Sequence, residues 1–168
     1  MDIYYRPLTL DDKQEIFELL TKDEVIRYQA WRIETMEDTE NYINQMMSLS
    51  DKMHYCVIED KDTKNLIGIC NITMNLKHQK GEIGYMIQPE YWGNGIATHA
   101  AKYLVEYGFK EQSLNRIYAV TDIQNTGSIR VLEKVGFQRE GLMRQDKIVR
   151  GKFRNSYMYS ILNDEFRE

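Results

Sequence analysis

Residues 82–98 read Glu82-Ile83-Gly84-Tyr85-Met86-Ile87-Gln88-Pro89-Glu90-Tyr91-Trp92-Gly93-Asn94-Gly95-Ile96-Ala97-Thr98. The run over 81–87 is apolar enough for a central strand of a sheet. Beyond the glycines, Ile96, Ala97, Ala100, Ala101, Leu104 and Val105 trace one face of a helix. A strand therefore runs through a tight glycine turn straight into a helix. Gly93 and Gly95 tolerate positive φ and leave backbone N–H groups unobstructed. With the positive end of the helix dipole, those groups make a cradle for a phosphate or pyrophosphate. A plain connecting loop that needs two glycines for geometry is the competing reading.

Outward from this stretch, elements follow in both directions. Residues 3–8 form an edge strand, since Pro7 is tolerated only at an edge or end. Thr9 with Asp12, and Thr35 with Asp38, are N-terminal capping signals. The first opens a helix with Ile16, Phe17, Leu19 and Leu20 on its buried side. The second opens a helix carrying Met36, Tyr42, Ile43, Met46 and Met47 at helical spacing. Residues 54–58 and 66–74 read as a hairpin around the turn chemistry of residues 60–65. After the helix over 96–110 come a strand over 116–121, a short helix capped by Asn125 and ended by Gly136, and a last strand over 157–162. This order predicts an α+β or mixed α/β fold with a mostly antiparallel sheet and helices on both faces.

The chain holds 168 residues, 42% apolar and 29% charged, and shows no linker, repeat or low-complexity tract. These values predict a single domain over residues 1–168 that buries roughly 70% of the surface exposed in the unfolded chain. No apolar run approaches the ~20 residues of a membrane span. Met1-Asp2 starts no targeting signal, so the expected location is cytoplasmic, with no membrane partner. Cys56 and Cys70 lack metal-ligand spacing and predict neither a disulfide scaffold nor a metal site. The net charge of −4 argues against direct nucleic-acid binding. Its distribution is uneven: residues 10–40 carry ten acids and four bases, and residues 130–154 eight bases and three acids. Both are solvated faces, or they mark a cationic ligand near the first segment and an anionic one near the second.

Among phosphate binders, a nucleoside-triphosphate loop needs Gly-Lys-Ser/Thr, whereas Gly95 is followed by Ile96-Ala97. A dinucleotide fingerprint sits after the first strand of a βαβ unit, not after the fourth strand of the chain. The stretch instead resembles the acyl-coenzyme A loop of the GNAT N-acetyltransferases, Gln/Arg-x-x-Gly-x-Gly/Ala, with Trp92 standing in the Gln/Arg position. Trp92-Gly93-Asn94-Gly95 is similar to the branch that holds ribosomal-protein N-terminal and polyamine acetyltransferases. Asn125-x-x-Ser128, the Gly136-Phe137 helix end, Arg6-Pro7-Leu8 and Glu82-Ile83-Gly84-Tyr85 extend the resemblance over residues 3–162.

The resemblance implies two splayed parallel central strands, 81–87 and 116–121, that admit the pantetheine arm of acetyl-coenzyme A. It implies cofactor contacts from the backbone of Met86 and Ile87, from Trp92, Gly93, Asn94, Gly95, Ile96, Ala97 and Thr98, and from Asn125. Glu82 matches the glutamate that draws a proton from the amine through water, and Ser128 the serine that serves the departing thiolate. A strand-end carboxylate, a first-turn hydrogen bond and a helix cap are the plain alternatives for Glu82, Ser128 and Asn125. Leu132 excludes the variant with a tyrosine seven residues after the asparagine. Tyr28 and Trp31 lie in a loop that in this family roofs the acceptor site; beside Asp23, Glu24, Glu34 and Glu37 this exposed aromatic pair receives an ammonium group, or it only packs. The expected activity is acetyl transfer from acetyl-coenzyme A to a primary amine, either a protein N-terminus or a small amine or polyamine, by a monomer or homodimer without a metal. A non-catalytic acyl-coenzyme A-binding module is the alternative, and would need neither Glu82 nor Ser128.

Overall fold

The computed structural model describes residues 1–167. Strand β1 (Ile3–Pro7) leads through a short 3-10 turn into α1 (Lys13–Leu20), α2 (Asp23–Ile26) and α3 (Met36–Ser48). Then follow β2 (Met53–Asp60), β3 (Leu66–Asn75), β4 (Lys80–Ile87), α4 (Ile96–Glu106), β5 (Arg116–Asp122), α5 (Thr126–Val135), β6 (Gln138–Val149) and β7 (Lys152–Leu162). The seven strands form one sheet in the order β1-β2-β3-β4-β5-β7-β6, antiparallel throughout except for β4 beside β5. Strand β4 is thus the middle strand of the sheet, as its apolar run predicts.

Local chemistry accounts for the boundaries. Thr35 Oγ1 accepts from the Asp38 amide at 3.0 Å while Asp38 Oδ2 accepts from the Thr35 amide at 2.9 Å, which closes the start of α3. Asp60 Oδ1 accepts from the amides of Asp62 and Thr63 at 2.8 and 3.0 Å and shapes the β2–β3 turn. Gly136, at φ 104°, ends α5, and the buried Phe137 sends its amide back to Leu132 O at 3.0 Å.

Two cores lie on opposite faces of the sheet. One packs α4 and α5 on Ile58, Ile72, Ile83, Ile87, Ile117 and Ala119. The other packs α1 and α3 on Val57, Leu66 and Ile69. The expected mostly antiparallel sheet with helices on both faces is present. Two elements go beyond the sequence expectation. Helix α2 is a single turn, and β6 is an edge strand whose side chains are almost all exposed. With no buried face, β6 carries no apolar alternation for a sequence reading to detect.

Candidate active site

The site begins where the only parallel pair among the described residues fails. Strands β4 and β5 are in register at Lys80/Arg116, Gly81/Ile117 and Glu82/Tyr118 and no further, although β4 runs to Ile87 and β5 to Asp122. Strand β5 stays paired with β7 as far as Asp122/Ser156, so it is β4 and β5 that part. The gap opens a cleft of about 210 Å³ whose walls include Tyr28, Asn71, Glu82, Tyr85, Met86, Thr121, Asp122, Asn125, Ser128 and Lys147.

Strand alternation assigns the walls. Ile83 and Ile87 belong to the α4/α5 core with Tyr85 packed against it, whereas Met86 packs on the α1/α3 core. Glu82 and Tyr85 therefore approach the cleft from opposite faces of one strand. Hydrogen-bond phase assigns the backbone in the same way. The Gln88 amide donates to Ile67 O at 2.8 Å, and the β3–β4 register is unbroken. Alternation then commits the Met86 amide to β3 and turns the amides of Tyr85 and Ile87 toward the gap. Of the expected backbone pair, Ile87 faces the opening; Met86 contributes its side chain to the wall instead.

At the end of β4 the glycine turn has the expected conformation, with Gly93 at φ 80° and Gly95 at φ 76°. A Cβ built on either glycine would meet nothing within 4 Å, so the space in front of the turn is open. Asn94 Nδ2 donates to Tyr91 O and Trp92 O at 3.1 and 3.3 Å and holds the loop shape. Ile96 is buried in the core, so only its backbone is offered; Ala97 and Thr98 follow in the first turn of α4. The first amides of a helix have no intrahelical partner, and residues 95–98 present them beside the positive end of the dipole. Trp92 donates its Nε1–H to Ile87 O at 2.8 Å while 52% of the residue is exposed. Its indole thus pins the loop to the end of β4. These features fit a pyrophosphate followed by an extended arm. Thr121 Oγ1, buried in the cleft wall without a hydrogen-bond partner among the described residues, adds a polar group for an arm to meet.

Both candidate proton-handling residues line this one cleft. Burial raises the Glu82 carboxyl above its ordinary range, a hydrogen bond from Tyr118 opposes the rise and the nearby charge of Asp146 adds to it. A carboxylate so raised is a stronger base at neutral pH. Ser128 sits in the first turn of α5, where its amide donates to Asn125 Oδ1 at 3.2 Å. Asn125 is thus a true helix cap as well as a cleft residue. The Ser128 hydroxyl lies 3.0 Å from the Tyr85 hydroxyl. Tyr85 was not among the expected site residues, although its place on β4, the strand expected to line the gap, was the signal for it.

The acceptor side departs from expectation. Tyr28 and Trp31 are both half-buried and do not form an exposed pair. Tyr28 lines the cleft and donates its hydroxyl to Gln124 O at 3.3 Å. Trp31 stacks on Tyr42 at 5.9 Å between ring centres and packs on the α1/α3 core, where apolar burial outcompetes a place over the cleft. Residues from later in the chain complete this wall. Arg154 donates to both oxygens of the buried Asp122 at 2.8 and 2.7 Å. Burial raises the Asp122 carboxyl, but Arg154 and the Gln124 amide overcome this and hold it below the usual range. Lys147 reaches the cleft from β6, and Arg150 joins Asp23 at 3.1 Å, so the two oppositely charged segments meet each other.

A central strand pair that parts, with a glycine turn and helix N-terminus at one end of the gap and Glu82 and Ser128 in its walls, defines an acyl-coenzyme A-dependent transferase. The chain belongs to the GNAT acetyltransferases: residues 2–138 match the acetyltransferase (GNAT) domain. An uncharacterized N-acetyltransferase of Bacillus subtilis, YoaA, is 37% identical over 163 residues, covering 94% of this chain and 91% of that one. The spermidine N(1)-acetyltransferase of Escherichia coli K12 is 28% identical over 96% of this chain and 86% of its own. A crystal structure of a GNAT acetyltransferase from Bacillus anthracis superposes with a TM-score of 0.88 at 29% identity, covering 98% of this chain and 97% of that one. The protein is an acetyl-coenzyme A-dependent N-acetyltransferase, which removes the non-catalytic binding module. No helix is long and apolar enough to cross a membrane among the described residues.

Proposed function

We propose that this chain, working as one domain, transfers acetyl from acetyl-coenzyme A to a primary amine by direct attack on the thioester, with Glu82 as base and Ser128 as proton donor. Acetyl-coenzyme A supplies an acyl group already activated as a thioester. The turn over residues 93–98 holds its phosphates, and the gap-facing backbone of Tyr85 and Ile87 receives its arm. Glu82 takes a proton from the entering amine, directly or through one water. Ser128 hands its hydroxyl proton to the departing thiolate. The observation that carries this reading is the approach of Glu82 and Ser128 to one cleft from opposite faces of β4. An amine on one face and a thioester from the other then meet between them. Holding two reactants in this way is worth roughly 7–11 kcal/mol of barrier. The acceptors proposed are a free protein N-terminus, a polyamine or another small amine.

A thiol-release assay with acetyl-coenzyme A and spermidine, a peptide with a free N-terminus and kanamycin tests the reaction and ranks the acceptors. In that assay Glu82→Gln lowers kcat by roughly 100-fold at neutral pH, the lower limit for a well-placed base. The deficit shrinks as pH rises and more of the amine is neutral before it binds. A pH–rate profile parallel to wild type would reduce Glu82 to a strand-end carboxylate.

A further inference from the structure

The hydroxyls of Tyr85 and Ser128 form a pair that neither the glycine turn nor the base explains. Tyr85 comes from β4 and Ser128 from α5, and their oxygens are 3.0 Å apart in the wall of the cleft. The other partner within reach of the phenol, the Ser128 carbonyl, is farther away at 3.5 Å. Burial pushes the Tyr85 hydroxyl up to about 12, with the Ser128 contact opposing the rise, so the phenol keeps its proton across the working range. A phenol is a stronger acid than an aliphatic alcohol, so within the pair the tyrosine is the donor and the serine oxygen the acceptor.

A serine hydroxyl has one proton and two lone pairs. Once Tyr85 fills a lone pair of Oγ, the serine proton must point elsewhere. The Ser128 backbone is fixed separately, by the Asn125 cap at its amide. Asn125 and Tyr85 thus hold the residue at two points, one at the main chain and one at the side chain. We propose that Tyr85 is a positioning residue acting through Ser128: its O–H donates to Ser128 Oγ, directs the serine proton into the cleft and stabilises the negative charge that builds on Oγ as that proton leaves. Atoms balance without a further reactant, because the proton reaching the thiolate is that of Ser128, and the Tyr85 proton moves to the serine oxygen or stays shared with it. The inference rests on the proposed role of Ser128.

The test is a double-mutant cycle with Tyr85→Phe, Ser128→Ala and the double variant, run with acetyl-coenzyme A and the most active of spermidine, the free-N-terminus peptide and kanamycin. Phenylalanine keeps the ring in the wall and removes only the hydroxyl. We expect Tyr85→Phe to lower kcat about tenfold and leave the KM for acetyl-coenzyme A within about twofold. Ser128→Ala should lower kcat roughly 10–100-fold, and the double variant should fall no further than Ser128→Ala alone. Should Tyr85→Phe fold poorly in a thermal melt, 3-fluorotyrosine at position 85 keeps the ring and makes the phenol more acidic, so kcat should decline at a lower pH than in wild type; an unshifted pH profile would reduce Tyr85 to wall packing. Unchanged kcat in Tyr85→Phe beside an impaired Ser128→Ala would reduce Tyr85 to wall packing. Losses that multiply in the double variant would make the two hydroxyls independent and overturn the proposal. Full kcat in Ser128→Ala would instead remove Ser128 from the reaction, a failure of the function reading itself whatever Tyr85→Phe does.

Discussion

The proposed donor side of the cleft and the proposed acceptor side are built by different rules. The donor side is made of two short continuous stretches, residues 82–98 and 125–137, shaped by positive-φ glycines, a helix N-terminus and a side-chain cap. The acceptor side is assembled from segments far apart in sequence and joined by single polar contacts. Arg150 meets Asp23, Tyr28 meets Gln124 O, and Arg154 grips Asp122. The first side follows from backbone geometry, which a few residues dictate. The second follows from single tertiary contacts, two ion pairs and one hydrogen bond, made by residues outside those two stretches. A cofactor common to a family and an acceptor that varies within it call for that division.

Three substitutions probe the contrast. Gly95→Val should have the largest effect and confine it to the donor side. A β-branched residue at φ 76° is strained by about 1–2 kcal/mol, yet its side chain enters open space, so the fold survives. The same space is where phosphate approaches. Loss of one charge-assisted hydrogen bond or more should raise the acetyl-coenzyme A Kd roughly 100-fold in calorimetry. Unchanged affinity in a folded variant would detach the turn from the donor site.

Arg154→Ala should come next and act through stability. It leaves the carboxylate of Asp122, whose side chain is fully shielded, without its partner. Breaking a buried pair costs about 3–5 kcal/mol, and the partial exposure of Arg154 lowers the expected loss to about 2 kcal/mol at pH 7 in urea unfolding. The Asp122 pKa is depressed in the folded state, so this contribution is complete above the unfolded value of about 3.9 and is lost as pH falls through the folded one. The gap between variant and wild type therefore closes in acid. A gap that stays constant to pH 3 would show that the pair is not its source.

Arg150→Ala should have the smallest effect. Its pair with Asp23 is exposed, so unfolding free energy should change by about 0–1 kcal/mol. Because the pair ties the β6–β7 turn to the segment before Tyr28, the acceptor KM should shift while the acetyl-coenzyme A KM holds. Equal shifts in both would erase the distinction between the two sides.

The same contrast decides what could be read from residue order alone. The glycine turn, the caps at Thr35 and Asn125, the central position of β4 and its parting from β5 all depend on local pattern or on the family resemblance, and all are present. The missed features are long-range. Trp31 looks like a loop aromatic until α3 brings Tyr42 beneath it. Lys147 looks like one of eight bases in residues 130–154 until β6 folds over the cleft. His54 appears isolated, yet its Nε2 lies 2.8 Å from the hydroxyl of Tyr103 on α4. No spacing rule links residues that meet only through the sheet order.

The two-faced use of β4 also constrains how the chain can change length. Glu82 and Tyr85 stand an odd number of residues apart, and that oddness is what puts one on each face. Insertion of a single residue between them would bring both to the same face and turn every later side chain of the strand over. Loss or gain of two would keep the faces but carry the Tyr85 hydroxyl about 7 Å, roughly two residues of strand rise, away from Ser128 on α5. The turn at residues 61–65 bears no such arithmetic and can lengthen freely. Divergence in length is thus channelled into the hairpin tips, while the middle strand is held to a fixed parity.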